Sequence, residues 1–499
     1  MSRFKRQSTR RAGDRMFDRT SQMRQNYHQF VKSYQCRGSV YLSNRRHFDC
    51  DFLCGQTEEG DIIVRLHEIN LAFLPSIINY DSVEFVSGYS SDGQYIRANI
   101  TLSGPAKLSS DSNGGFSGSV EFYARELIVG NALSTPLVAL KFYVVNFEFV
   151  SQLKWRLGVY DVAVKRHDKY QEAEEEMRAT KRPKMTAELT ITSPTAYIAN
   201  EYEAERVVHD LCALLSLAKG CQIQWLYWDA YTSDEVRIKT YHWNGIISQY
   251  GSLQIIVKMP PEDINNFVQQ TFEPYRKVNE RAIWKFNKAI AHYASTVSRE
   301  GFLELRAIDL VVLVDYLTQH YAASENTTHF IQPSSLDAKR SVVQKLIGCA
   351  LESHFSAKDL VKNELSTAKK GAMRVIVSDM TNMIDCLNRR SFPSSLRRLL
   401  KHLNLKIDEA EVKMFVAIRN KLIHDSNFLK QDDFPEGTLY ESPWRQFLRI
   451  LSLTSRIMLG ILQYRGYYYD WGRFEKAEWA GAETGRVRMP YVGSNEQPL

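Results

Sequence analysis

Leu253-Gln254-Ile255-Ile256-Val257-Lys258-Met259-Pro260-Pro261-Glu262-Asp263 is where the chain changes rhythm. Before the proline pair, apolar and polar residues mostly alternate with a period of two, in short runs rich in β-branched and aromatic side chains, the pattern of strands that bury one face. After it the period becomes 3.6 and stays there. The fold class that follows is α+β and multidomain: an N-terminal β-rich domain, sandwich- or barrel-like, ahead of a C-terminal all-α helical bundle.

Working back from the proline pair, strands are expected at 38–42, 62–66, 82–86, 95–102, 118–123, 137–149, 155–164, 187–192, 223–228, 236–241 and 253–257, with turns at Asp92-Gly93 and Asn113-Gly114-Gly115. Two helices interrupt them. One, 169–182, is highly charged; the other, 200–219, carries an apolar stripe through Val207, Val208, Leu211, Leu214, Leu215 and Ala218 and stops at Gly220. Working forward, helices are expected at 263–296, 303–323, 337–354, 360–370, 375–388, 394–403, 409–424 and 443–466. Ser335 and Ser394 stand where N-caps belong and Pro443 in a first turn. The organisation is a basic arm (1–35), a β-rich sensor or regulatory domain with two helices (36–260), a helical domain (261–478) and a polar tail (479–499).

With 499 residues, 44% of them hydrophobic and 24% charged, the chain has material for more than one buried core. The densest apolar run, Leu310 to Val314, ends at Asp309 and Asp315, far short of a membrane span, so no membrane partner is expected. Seven scattered cysteines read as free thiols of a reducing compartment, the cytoplasm, and no apolar segment follows the basic N-terminus as a secretory signal requires. The formal charge of +7 is concentrated: eight Arg and Lys against Asp14 and Asp18 give the first 25 residues +6. That segment reads as a solvated leader or as a phosphate-binding arm.

One segment looks like chemistry. Val416-Ala417-Ile418-Arg419-Asn420-Lys421-Leu422-Ile423-His424 lies in an amphipathic helix whose expected stripe, Val412, Phe415, Val416, Leu422 and Ile423, has Arg419 in its middle. A guanidinium there keeps its charge and must meet a carboxylate, a backbone acceptor or a bound anion; Glu304, Asp309 and Asp385 are the candidate carboxylates. Asn420 and His424 share a flank about one turn apart. The chemistry suited to the set is metal-independent RNA scission. Histidine moves a proton on the 2′-OH or the leaving 5′-oxygen, Arg stabilises the phosphorane charge, and Asn orients the phosphate. The nucleophile belongs to the substrate, so neither metal nor cofactor is called for. By spacing alone, a salt-bridged core Arg with a surface His remains the alternative.

Other groups compete for attention. Arg397, Arg398 and Lys401, with Lys421 inside the hexad, are candidate contacts to an RNA backbone or simply solvated. Cys50 and Cys54, near His47 and Cys36, lack a second Cys pair at ligand spacing and read as buried small hydrophobes. Tyr464, Tyr467, Tyr468, Tyr469 and Trp471 read as packing at the bundle end rather than base-stacking platforms. There is no Walker loop, dinucleotide fingerprint or nucleophile elbow.

Arg419-Asn420-x-x-x-His424 near a helix end, with several amphipathic helices before it and a long aromatic-rich helix (444–464) after it, resembles the HEPN superfamily of ribonuclease domains. Phe302-Leu303-Glu304-Leu305-Arg306-Ala307-Ile308-Asp309 looks like their first helix. Together with the β-rich half and the helix ending Leu214-Leu215-Ser216-Leu217-Ala218-Lys219-Gly220, the layout is similar to ApeA-type anti-phage proteins of bacteria. The resemblance implies a homodimer through the HEPN domain, RNA (tRNA included) as substrate, a 2′,3′-cyclic phosphate product, a phage-derived trigger and an abortive-infection role. It makes Arg419 and His424 catalytic and Asn420 supporting. Because silent HEPN domains exist, the competing expectation is a dimeric binding protein whose β domain recognises a ligand.

Overall fold

A computed structural model describes residues 30–67, 83–101, 120–130, 136–251, 256–257, 261–280, 285–324, 391–434, 439–471 and 486–488, apart from positions 44, 150, 196, 246 and 248–249. The chain divides into two compact units near residue 265, with segments 217–220 and 254–258 grouped with the second. The expected helices at 337–354, 360–370 and 375–388, the turn at Asn113-Gly114-Gly115 and most of the arm and tail lie outside the described residues.

The first unit is built on one antiparallel sheet. Its strands are β1 (Phe30–Leu42), β2 (His47–Thr57), β3 (Ile62–His67), β4 (Val83–Ser90), β5 (Tyr95–Ile100), β6 (Val120–Gly130), β7 (Ala139–Val145), β8 (Leu153–Leu157), β9 (Tyr160–Arg166), β10 (Met185–Thr192), β11 (Gln224–Tyr231) and β12 (Arg237–Trp243). In the order β3-β2-β1-β4-β5-β6 the first six close into a barrel, because β3 also pairs with β6. Alternate residues turn inward and fill it: Val40, Phe52, Cys54, Val64, Val86, Ile96 and Leu127. The sheet continues beyond β6 as β12-β11-β7-β10-β9-β8.

β6 is the fork. Its first half, up to Ala124, pairs with β3, and on the same edge its second half, Glu126 to Gly130, pairs with β12. Where partners diverge, backbone groups lose their ladder and side chains must replace it. Asn244 does so, donating from its Nδ2 to the Ala124 carbonyl (2.8 Å) and from its backbone N–H to that of Arg125 (3.0 Å). Nearby, Gln56 Nε2 donates to the Trp243 carbonyl (2.9 Å), its Oε1 meets His242 Nδ1 (2.9 Å), and His242 Nε2 meets the Tyr34 hydroxyl (3.2 Å). Lys32 reaches the buried Asp229 at 3.1 Å, which pairs both ions.

One face of the extension carries Phe142, Trp225 and Trp228 and is met by α2 (Glu201–Lys219), through Glu201 with Lys239 (2.6 Å) and His209 against Trp243. The charged α1 (Tyr170–Thr180) packs on β10. Several expectations change here. β1 begins at Phe30, so residues 30–35 belong to the barrel and not to the arm. The run 155–164 is a hairpin, β8 and β9, turned at Gly158 with φ 60°. Ile256 and Val257 form a bend rather than a strand, bonding to the Ala218 carbonyl (2.9 and 3.1 Å).

The second unit contains α3 (Pro261–Glu280), α4 (Phe286–Ser298), α5 (Leu303–Ser324), α6 (Phe392–His402), α7 (Glu409–Asp425) and α8 (Pro443–Ile461). α5 is the hub, packing against α4, α6, α7 and α8. Leu310, Val311, Val314, Leu317 and Tyr321 make its inner face, while α8 is buried along nearly its whole length. The span 263–296 is thus two helices. The helix expected from Ser394 is capped at Ser391, and Pro443 opens α8 behind the N-cap Ser442. This unit is not purely helical: β13 (Tyr467–Tyr469) pairs with β14 (Arg486–Arg488), the latter inside the expected tail. The molecule is therefore α+β with a β-rich N-terminal part, a closed barrel with a sheet extension.

Candidate active site

α7 begins where Asp408 caps it, the carboxylate accepting from the Glu411 N–H at 2.6 Å, and ends at Ser426 in a left-handed conformation. Its packed face is Val412, Met414, Phe415, Ile418 and Leu422. At 100° per residue this stripe is rotated by roughly 70° from the expected one. Arg419 consequently lies at the edge of the buried face, 22% exposed, and Ile423 turns outward, 39% exposed.

The carboxylate that meets Arg419 is Asp315 of α5, neither Glu304 nor Asp309; Asp385 lies outside the described residues. Arg419 Nη2 donates to Asp315 Oδ2 at 2.8 Å, Nη1 donates to Asn420 Oδ1 at 3.0 Å, and the guanidinium lies over the Phe392 ring, 5.0 Å from its centroid. Two buried atoms of this group, Arg419 Nε and Asp315 Oδ1, have no hydrogen-bond partner among the described residues. Asn420 is exposed and, with its oxygen engaged by Arg419, presents its Nδ2 as a donor. His424 is exposed in the last turn. It stands about 140° and roughly 7.5 Å of helix rise from Arg419, so α7 alone displays the two groups without converging them.

No protein-family model, curated protein or solved structure matches the chain. Its function is therefore argued from these residues.

The four candidate RNA contacts separate into two pairs. Lys421 is held by Asp425 (2.9 Å) and Asp433 (3.2 Å), and Arg397 is held in bidentate fashion by Glu409 (3.0 and 2.5 Å). Side-chain hydrogen bonds from those carboxylates push both cations' pKa values up, so they stay charged but already neutralised locally. Arg398 and Lys401, exposed on α6, have no ion pair among the described residues and are the cations open to a phosphate backbone.

Of the remaining candidates some are packed inside the fold, and others, Tyr467 among them at 44% exposure, are not. Cys36 and Cys54 approach to 3.9 Å between sulfurs inside the barrel, while His47 is exposed at the strand end; among the described residues no cluster could hold a metal ion. Tyr464 is buried against Phe267 and donates to the Tyr467 carbonyl (3.0 Å), and Tyr468 is buried. No described helix is long and apolar enough to cross a membrane. Asp315 and Phe392 are the site residues that periodicity misses. The only trace of Asp315 in the sequence is its position as the first charge after the apolar run Leu310 to Val314.

Proposed function

We propose that the chain is a metal-independent endoribonuclease of HEPN type, acting in the cytoplasm as an anti-phage effector under the control of its β-barrel unit. The observation that carries the reading is the Arg419–Asn420 hydrogen bond at a half-exposed helix edge, with His424 exposed one turn further on. In this role Arg419 stabilises the phosphorane, Asn420 aims its amide at a phosphate oxygen, and His424 transfers the proton on the 2′-OH or the 5′-oxygen. Since His424 and Arg419 diverge on one helix, a two-fold dimer completes the site. Supporting it, Leu305 and Val312 of α5 are exposed, with Phe302 exposed just before it, and α7 exposes Ile423. A phage-derived ligand of the barrel unit would be the trigger, and tRNA is a candidate substrate.

A second reading is favoured by the ion pair of Arg419 with Asp315: a catalytically silent helical module that dimerises and scaffolds, with a ligand-recognising barrel unit. The two separate on purified chain incubated with total RNA in EDTA, followed by analysis of the ends. The nuclease reading expects 2′,3′-cyclic phosphates, no cleavage at a 2′-deoxy position, and losses of at least about 100-fold in Arg419→Ala and His424→Ala. Cleavage undiminished in both variants, or 3′-hydroxyl ends that require magnesium, would falsify it. A chain that remains monomeric at all concentrations and with RNA removes the composite site.

A further inference from the structure

Resting on the nuclease reading, we infer that Asp315 is the positioning residue for Arg419. A guanidinium has five N–H donors in a rigid plane, and its value to a phosphorane depends on where that plane points. Here three contacts from three directions set it: Asp315 Oδ2 on Nη2, Asn420 Oδ1 on Nη1, and the Phe392 ring against one face. Each Nη spends one hydrogen on these contacts. Among the described residues, one hydrogen on each Nη is left for a ligand oxygen.

The pairing is not that of a saturated ion lock. An Arg–carboxylate pair can engage side by side through two N–H···O bonds. Asp315 uses one oxygen; its Oδ1 and the neighbouring Nε are both buried and have no partner among the described residues. The contact therefore fixes orientation while leaving donors in reserve. α5 is suited to this duty because its inner face is anchored by Leu310, Val311, Val314 and Leu317, so the carboxylate stands on a rigid element. Asn420 makes the second contact from α7 itself, which holds the guanidinium in register with the amide beside it.

The test is single-turnover cleavage of a short RNA in EDTA by the full chain, with thermal unfolding of each variant alongside. Asp315→Asn keeps the shape and loses the charge-assisted bond; the expected result is a fall of roughly 10- to 100-fold in kcat, a KM within about threefold of the parent, and an unchanged unfolding temperature. Asp315→Glu restores part of the rate. In Arg419→Ala, adding Asp315→Asn costs nothing further, because the carboxylate acts only through the arginine. Full activity in Asp315→Asn beside an inactive Arg419→Ala overturns the inference and leaves the nuclease reading intact, as does a further loss in the double variant. An Asp315→Asn that unfolds together with an Asp315→Glu that recovers stability but no rate also overturns it. A parent without cleavage, or an Arg419→Ala as active as the parent, removes the nuclease reading and this inference with it.

Discussion

Arg419 and Arg456 answer one physical problem at different depths. Arg456, on α8, is 7% exposed, with Nη1 on Glu411 at 2.8 Å and Nη2 on the Lys406 carbonyl at 2.8 Å. Burial pushes the Glu411 carboxyl up, and only the arginine draws it back. Arg456→Ala therefore strands a three-quarters-buried acid, and the expected loss is about 3 kcal/mol of unfolding free energy in urea titration. Glu411→Ala added to that variant should recover most of it; strictly additive losses would contradict the pairing. The partner of Arg419 was less legible than its need for one. Helical phase shows that residue 419 approaches the packed face, but which acid it meets depends on how α5 and α7 cross, and no single-helix pattern carries that. The phase was itself displaced because Met414 and Ile418, both buried, were left out of the stripe.

Elements in the first unit are limited by how closely strands approach. Gly38 of β1 faces Gly88 of β4 across the barrel wall, and a Cβ at residue 38 would stand 2.1 Å from the Ser87 carbonyl oxygen and 2.4 Å from the Gly88 Cα. Both neighbours are backbone and cannot swing aside. Gly38→Ala should cost about 2 kcal/mol, read from the urea midpoint, and a loss under about 0.5 kcal/mol would show that the strands can separate. Most strands could be located from period-two patterning and β-branched residues, because inward residues such as Val40, Val64 and Ile96 are apolar and each has a polar neighbour, Ser39, Arg65 and Arg97. Closure of the barrel could not, since the β3–β6 pairing joins residues whose only shared property is strand character. The β8–β9 turn was hidden for another reason: Leu157-Gly158-Val159-Tyr160 keeps an apolar pattern through the reversal, and only the positive φ of Gly158 marks it.

For the whole molecule, one fully buried histidine of the first unit makes stability depend on pH. Desolvation, reinforced by Lys32 and Arg237, holds the pKa of His242 well below 6.5. A histidine whose folded pKa lies below its unfolded value binds fewer protons in the folded state. Its contribution is complete above about pH 6.5 and is lost as pH falls below that value toward the folded pKa. Chemical denaturation of the full chain should show its β-unit transition moving to lower denaturant between pH 7 and 5, and a flat profile would contradict burial of the His242 ring as a neutral imidazole. The fork at β6 has a temporal side as well. Glu126 to Gly130 wait for Trp243 to Lys239, residues the ribosome adds roughly a hundred positions later. At ordinary rates of translation that is on the order of ten seconds, during which a barrel already able to close carries a bare strand edge and an unmatched Gln56. A nascent chain stalled near residue 200 should exchange rapidly those amides of 126–130 that face β12, while those that face β5 are protected, making this edge the surface a chaperone would meet first.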